Sequence, residues 1–206
     1  MRKIRGLRNT VRRLWCLTAW RLAIAIWCRR YEIRNRQRIP AGPVLIVANH
    51  ASHADTVVLQ FALASSVRCP LRVAGAEDYW FRNRVIGWFA RGLGVFPFPR
   101  RGEAGPRRAR RALASRSSVL IFPQGTRAGG RFRPGVGRIA AGSPTSVLPI
   151  HVSGTDSVLP RGSFLPRRGD VVIRVGEPVS MEPLETPEEF AARLERIVQM
   201  DLGSAA

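Results

Sequence analysis

The feature that most constrains the fold is a set of short apolar segments separated by helix-forming stretches. Four of them are apolar over most of their length: VLIVA (44–48), SVLIFP (118–123), SVLPIHV (146–152) and DVVIRVG (170–176). Such runs are typical of strands that are buried on both faces of a sheet. Helices are expected between them, over residues 52–63 and 106–114. Strands that alternate with helices predict an α/β fold in which helices flank a mainly parallel sheet.

The middle of the chain predicts further elements. Residues 71–74 are expected to form another strand, and residues 77–91 (EDYWFRNRVIGWFAR) carry apolar side chains at helical spacing. The following stretch, residues 94–102, contains two prolines and is expected to be extended, because proline does not fit inside a helix.

The C-terminal helix has the clearest start signal. Thr186 and Glu189 have the spacing of a capping box, and Pro187 occupies the first helical position. An apolar stripe follows at helical spacing and is expected to cover the sheet. Because no repeat or linker interrupts the chain, residues 39–206 are expected to form one domain.

The N-terminal segment, residues 1–38, carries twelve basic residues and one acid, Glu32. Its apolar residues between Leu14 and Cys28 recur at helical spacing, but fifteen helical residues span only about 23 Å of a roughly 30 Å hydrocarbon core. Arg21 lies in the middle, where a charge costs about 2.5–3.5 kcal/mol on insertion. The segment therefore predicts a basic amphipathic helix that lies in the membrane interface. A soluble helix packed on the core remains the alternative.

The charge balance indicates an anionic partner. The formal net charge is +20, and Lys3 is the one lysine among 34 basic residues. Such an excess favours phosphates, nucleic acid or an acidic membrane surface. No nucleic-acid-binding motif is present, so no nucleic-acid partner is expected.

Three scattered cysteines predict a reducing compartment. Together with the basic N-terminal segment, they lead us to expect the protein at the cytoplasmic face of a membrane, peripheral or monotopic.

The stretch NHASHADT (49–56) holds two of the three histidines. It follows the apolar segment 44–48, and α/β sheets bind ligands where a strand ends and a helix begins. His50 is suited to accept a proton near neutral pH. Asp55 reaches it only if His50 precedes the helix and Asp55 lies in the first turn, with Ser52 as N-cap and Asp55 as the third helical residue.

Two other interpretations of this stretch remain open. Ser52 and Asp55 have the spacing of a capping box, so Asp55 would then serve only the helix end. His50, His53 and Asp55 would otherwise bind a metal, although no further ligand cluster accompanies them and no metal is expected.

Four blocks in this order resemble the glycerophospholipid acyltransferase family, which includes 1-acyl-sn-glycerol-3-phosphate acyltransferases. NHASHADT resembles the family's NHxSxxD box. GVFPFPR (94–100), IFPQGTR (121–127) and VLPIHVSGT (147–155) resemble the second, third and fourth blocks. The resemblance covers residues 40–178.

The resemblance implies a mechanism. His50 would be the general base and Asp55 would orient it, while Arg100, Gly125, Thr126 and Arg127 would bind the phosphate-bearing substrate. Asn49, Ser52, Gln124 and Pro149 would support the site, and Pro149 and His151 would shape a pocket. Gln124 departs from the family's usual glutamate, which puts an ionic role at that position in doubt.

The implied reaction transfers a fatty acyl group from acyl-CoA or acyl-carrier protein to the hydroxyl of a lysophospholipid, with 1-acyl-sn-glycerol-3-phosphate as the expected acceptor and phosphatidic acid as product. The acyl donor is a co-substrate, and no cofactor is expected. The expected partners are the lysophospholipid, the donor and an anionic membrane. The alternative is a non-catalytic basic module that binds anionic membrane or nucleic acid.

Overall fold

A seven-stranded sheet organises the part of the chain that the computed structural model describes, which is residues 18, 21–64, 69–163 and 165–204. Its strands are β1 (Cys28–Arg34), β2 (Leu45–Ala48), β3 (Leu71–Ala76), β4 (Val95–Phe98), β5 (Ser118–Ile121), β6 (Val147–Ser153) and β7 (Gly169–Val175). The strand order is β1-β7-β6-β2-β5-β3-β4.

The predicted mainly parallel sheet is confirmed. Strands β6, β2, β5, β3 and β4 run parallel to one another. Strand β7 pairs antiparallel with β6, and β1 pairs parallel with β7, so these two strands run opposite to the other five. The parallel strands place their carboxyl ends along one edge, which is where such sheets bind ligands.

Helices pack on both faces of this sheet. They are α1 (residues 21–27), α2 (Ala54–Ala64), α3 (Glu77–Trp80), α4 (Arg84–Gly92), α5 (Ala104–Ala114), α6 (Gly135–Ala141), α7 (Thr155–Val158) and α8 (Pro187–Arg196). One core cluster joins a sheet face to α1, α2, α4 and α7. The other joins the opposite face to α5, α6 and α8.

The C-terminal helix begins as its sequence predicts. The Thr186 hydroxyl accepts a hydrogen bond from the Glu189 backbone N–H, and the Glu189 carboxylate accepts one from the Thr186 backbone N–H. Phe190 and Leu194 are fully buried against the sheet. After Arg196 the chain continues through one wider turn, Ile197–Asp201.

The N-terminal prediction needs a correction. Residues 28–34 form strand β1 rather than part of a helix, because they pair with β7 along most of their length. Residues 21–27 are helical, and residues 1–17, 19 and 20 of the predicted amphipathic helix lie outside the described residues. None of the described helices is both long and apolar enough to cross a bilayer.

The predicted helix over residues 77–91 is interrupted at residues 81–83. Asn83 causes the restart, since its side-chain oxygen accepts hydrogen bonds from the backbone N–H groups of Val85 and Ile86 in the first turn of α4. Asparagine competes in this way with the helical backbone and favours helix ends.

Candidate active site

Asn49 and His50 leave the sheet at the carboxyl end of β2. The Asn49 side-chain amide donates to the Val152 carbonyl (2.8 Å), and its oxygen accepts from the Val152 N–H (2.7 Å). This pair ties the loop after β2 to the neighbouring strand β6. The supporting role predicted for Asn49 is thus a backbone clamp in the structure.

His50 and Asp55 form a close pair. The ring Nδ1 of His50 lies 2.8 Å from Oδ2 of Asp55, whose side chain is fully buried, while 16% of the His50 side chain is exposed. A carboxylate only accepts hydrogen bonds, so Nδ1 carries the hydrogen and donates it. The other ring nitrogen, Nε2, is then the one that can accept a proton.

The Asp55 carboxylate is held by three further groups. The backbone N–H groups of Ala51 and Ser52 donate to Oδ2 at 2.8 and 2.9 Å, and the Thr155 hydroxyl donates to Oδ1. A buried carboxylate that accepts this many hydrogen bonds has a fixed position. It therefore fixes the orientation of the imidazole.

Asp55 makes both contacts that the two non-metal interpretations of this stretch require, one at the helix end and one with His50. Helix α2 begins at Ala54, so Asp55 is its second residue and not its third. The Ser52 hydroxyl accepts from the Ala54 N–H (3.2 Å) and donates to the Leu159 carbonyl (2.7 Å). Asp55 thus closes the helix end and also binds His50.

His53 points to an aromatic neighbour. Its Nε2 lies 3.2 Å from the hydroxyl of Tyr79, and its ring stacks on the Tyr79 ring. Across the described residues, no three His, Cys, Asp or Glu side chains come together as metal ligands.

Phe122 and Gln124 follow strand β5, the neighbour of β2 in the sheet, and both contact His50. The His50 ring stacks on Phe122 at 4.2 Å between centroids, and the His50 backbone N–H donates to Oε1 of Gln124 at 2.7 Å. Gln124 is buried. An amide oxygen and a carboxylate oxygen can both accept this bond, so the contact does not require the charge that glutamine lacks.

A pocket of about 190 Å³ opens beside the His50 ring. It contains every residue that the sequence assigned to substrate binding, together with His50: Arg100, Gly125, Thr126 and Arg127. The side chains reach it from the ends of β2, β4 and β5, because parallel strands end at a common edge.

The polar side of this pocket is cationic. Arg100, Arg127 and Arg161 line it. Arg100 donates from Nε to Oδ1 of Asp78 (2.9 Å) and from Nη1 to the Gly125 carbonyl. Its guanidinium holds the pKa of Asp78 below the usual range. The arrangement suits a ligand that carries a negative group.

The Gly125–Thr126 turn is held by its own hydrogen bonds. Gly125 has a positive φ of 66°, which glycine adopts easily, but its N–H donates to the Phe122 carbonyl (3.0 Å). The Thr126 hydroxyl accepts from the Ala128 N–H. The Gly125 N–H is therefore used within the turn, while three arginine side chains line the pocket.

Pro149 and His151 require a correction, because neither lies among the described residues that line the His50 pocket. Side chains alternate along β6, and Ile150 and Val152 face the layer of α2. Pro149 and His151 point to the other face, where Nδ1 of His151 contacts the Val198 carbonyl at 2.8 Å. Their role is in packing rather than in shaping this pocket.

Sequence reasoning missed four contributors to the site. Thr155 binds Asp55, Phe122 supports the His50 ring, and Trp80 and Arg161 line the pocket. Phe122 and Thr155 lie within the third and fourth sequence blocks, and Phe122 is two residues from Gln124. Their contacts join residues far apart in the chain, and local spacing does not predict such contacts.

Two histidines make stability depend on pH. Burial, with the charge of Arg127, lowers the pKa of His53 to about 4, and burial lowers the pKa of His151. The unfolded chain, with a histidine pKa near 6.5, then binds more protons than the folded protein as the pH falls. We expect the free energy of unfolding to decrease between about pH 6.5 and pH 4.

Urea unfolding of wild type and His53→Gln across this range measures the effect. Glutamine does not titrate, so the stability of the variant should fall less on acidification. Equal losses in both proteins would contradict the assignment of His53 as a half-buried, neutral histidine.

Comparisons with known proteins agree with the geometry. A family model described as Acyltransferase matches residues 30–153. A lyso-ornithine lipid O-acyltransferase from Pseudomonas aeruginosa is 31% identical over 217 residues, covering 92% of this chain and 80% of the relative. A chloroplastic 1-acyl-sn-glycerol-3-phosphate acyltransferase from Brassica napus is 29% identical over 159 residues, covering 72% of this chain. The chain spans 44% of the length of that plant relative.

The fold also has a solved counterpart. The crystal structure of PlsC, the 1-acyl-sn-glycerophosphate acyltransferase of Thermotoga maritima, superposes with a TM-score of 0.77 at 21% identity, covering all of this chain and 84% of that one. It supports the α/β architecture. The family match and the Pseudomonas relative confirm the resemblance found in the sequence: the chain belongs to the glycerophospholipid acyltransferase family.

Proposed function

We propose that this protein transfers a fatty acyl group from an acyl thioester to the free hydroxyl of a lysophospholipid. One observation carries the proposal: the buried carboxylate of Asp55 orients the imidazole of His50 at the wall of an arginine-lined pocket. A base, its orienting group and a site for an anionic substrate are the parts that this transfer needs.

The proposed reaction proceeds by direct attack. Nε2 of His50 accepts the proton of the acceptor hydroxyl while its oxygen bonds to the thioester carbonyl carbon. The tetrahedral intermediate then expels the thiolate, which takes the proton from the imidazolium. Asp55 stabilises the imidazolium while it exists. A positioned base of this kind is typically worth about 10²–10⁴ in rate.

The pocket favours an acceptor with a phosphate. Arg100, Arg127 and Arg161 provide guanidinium groups that can bind phosphate oxygens in pairs. We therefore propose 1-acyl-sn-glycerol-3-phosphate as acceptor and phosphatidic acid as product. The Brassica relative is named as an acyltransferase for the same acceptor.

A second acceptor class has its own support. The Pseudomonas relative, which matches most of both chains, is named for lyso-ornithine lipid. The two acceptors differ in chemistry, since one ends in a phosphate and the other in an amino acid. An acceptor panel therefore separates them.

A second pocket, of about 330 Å³, suits the donor. It shares Arg100, Phe122 and Gly125 with the His50 pocket and has Arg133 and Arg138 at its rim. Its walls include Phe98, Pro106, Ile121 and Val136. Apolar walls beside cations fit a chain that carries a negative group at one end, as acyl-CoA and acyl-carrier protein both do. We place the reaction at the cytoplasmic face of the membrane.

An assay of the full-length protein tests the function. Each lysolipid, with acyl-CoA or with acyl-carrier protein, is supplied in turn, and products are identified by mass. We expect wild type to form phosphatidic acid from 1-acyl-sn-glycerol-3-phosphate, and Arg100→Gln to raise KM for this acceptor. Transfer to the lyso-ornithine lipid alone would reassign the acceptor. Absence of any acyl product, together with tight polyanion binding, would favour the non-catalytic alternative.

A further inference from the structure

We propose that helix α4 forms a membrane-docking surface that attaches the His50 pocket to an anionic bilayer. The α4 surface consists of the apolar residues Val85, Ile86 and Trp88 with the arginines at 82, 84 and 91. It is separate in sequence from the N-terminal segment predicted to lie in the membrane. The inference rests partly on the proposed function, because a lysolipid acceptor enters from a lipid surface.

Helix α4 buries small residues and exposes three large apolar side chains. Gly87 and Ala90, which have small side chains or none, are buried, Ala90 in the core beneath the sheet and Gly87 beside Trp80 and Phe81. Val85, Ile86 and Trp88 are 65%, 47% and 69% exposed. A helix that only covered a core would bury its large apolar residues. Three such residues exposed on one short helix mark an interaction surface.

The charges around these residues identify the partner. Arg82, Arg84 and Arg91 are exposed, and α4 contains no acidic residue. The guanidinium of Arg91 lies over the ring of Phe81, at 5.0 Å from its centroid. Apolar side chains inserted among arginines fit the interface of an anionic bilayer, where the acyl boundary lies beneath phosphates. An acidic protein surface would match the arginines but not three exposed apolar side chains.

The position of α4 gives the surface a use. Tyr79 and Trp80 of the preceding helix line the His50 pocket, and residues 81–83 alone separate them from α4. Leu22 and Ile26 of α1 are also exposed, at 63% and 55%, and α1 packs on the same sheet face as α4. Docking through this layer would place the pocket beside the lipid headgroups.

Vesicle binding of the full-length protein tests the proposal. The variant Val85→Ser/Ile86→Ser/Trp88→Ser is compared with wild type on phosphatidylglycerol–phosphatidylcholine vesicles by flotation. We expect at least about a tenfold weaker partition, since even partial loss of three apolar side chains removes more than about 1.4 kcal/mol of transfer energy. The matched control is Leu184→Ser/Met200→Ser, which removes exposed apolar residues outside the surface and should partition as wild type.

A second measurement follows Trp88 directly. Brominated lipids should quench more fluorescence in wild type than in Trp88→Phe, because Trp88 enters the interface. Unchanged partition of the triple variant, or equal quenching in both proteins, overturns the proposal. A triple variant in which only self-association changes also overturns the proposal, since the α4 surface would then be a contact between copies of this chain.

Vesicle binding does not require acyl transfer. A negative vesicle result would therefore contradict the docking surface without contradicting the proposed function. The triple variant should also retain wild-type kcat on a short-chain lysolipid that is monomeric in water. Loss of activity on this soluble acceptor as well would show that the residues act on the pocket and not on docking.

Discussion

Replacing His50 by alanine is expected to lower kcat for acyl transfer by about 10²–10⁴-fold. The substitution removes the nitrogen that we propose takes the hydroxyl proton, while Asp55 retains its bonds to the backbone of Ala51 and Ser52 and to Thr155. The loop should therefore keep its shape. Steady-state rates with a saturating acceptor measure the loss, and vesicle binding should remain unchanged.

The control for this prediction is His151→Gln. His151 lies on the opposite side of β6 and bonds the Val198 carbonyl, so its replacement should leave kcat near the wild-type value. A His50→Ala protein that is folded and within threefold of wild-type kcat would eliminate His50 as the base.

Replacing Asp55 by asparagine tests the orienting group and should also have a large effect. The amide oxygen can replace Oδ2 as acceptor for His50 and the loop, and the amide NH₂ then faces the Thr155 hydroxyl, which can accept instead of donating. The shape is kept, but the charge that stabilises the imidazolium is lost. We expect a kcat decrease of at least about 10²-fold, and up to about 10⁴, the loss seen in Ser-His-Asp enzymes.

Thr155→Val provides the comparison. It removes one donor to Asp55 and leaves the charge, so we expect a cost of about 1–2 kcal/mol in the free energy of unfolding and a much smaller loss of kcat. Chemical denaturation and kinetics on the two variants separate the effects. If Thr155→Val lost as much activity as Asp55→Asn, position rather than charge would be the important property of Asp55.

The docking surface would link these rates to the physical state of the substrate. Variants at His50 and Asp55 should show their decrease in kcat on every form of the acceptor. Variants of the α4 surface should lose activity only on acceptors that reside in a bilayer. Comparing the two sets of variants separates the effect of a substitution on acyl transfer from its effect on membrane docking.

Much of the site was predictable from the sequence because its parts are close in the chain or lie at equivalent strand ends. His50 and Asp55 are five residues apart, and the loop and first helical turn bring them together. Arg100 and Arg127 follow β4 and β5, whose carboxyl ends meet at the same edge as that of β2. A parallel sheet requires that convergence once the strands are recognised.

The sequence by itself determined the alternation of strands and helices, the loop that carries His50 and Asp55, and the capped helix α8, since each depends on neighbouring residues. The tertiary structure alone decided that residues 28–34 join the sheet, that Thr155 reaches Asp55, that Gln124 holds the His50 backbone, and that α4 exposes Val85, Ile86 and Trp88. These outcomes depend on contacts between distant segments. A helical period shows that a helix has faces, but only packing decides which face is buried.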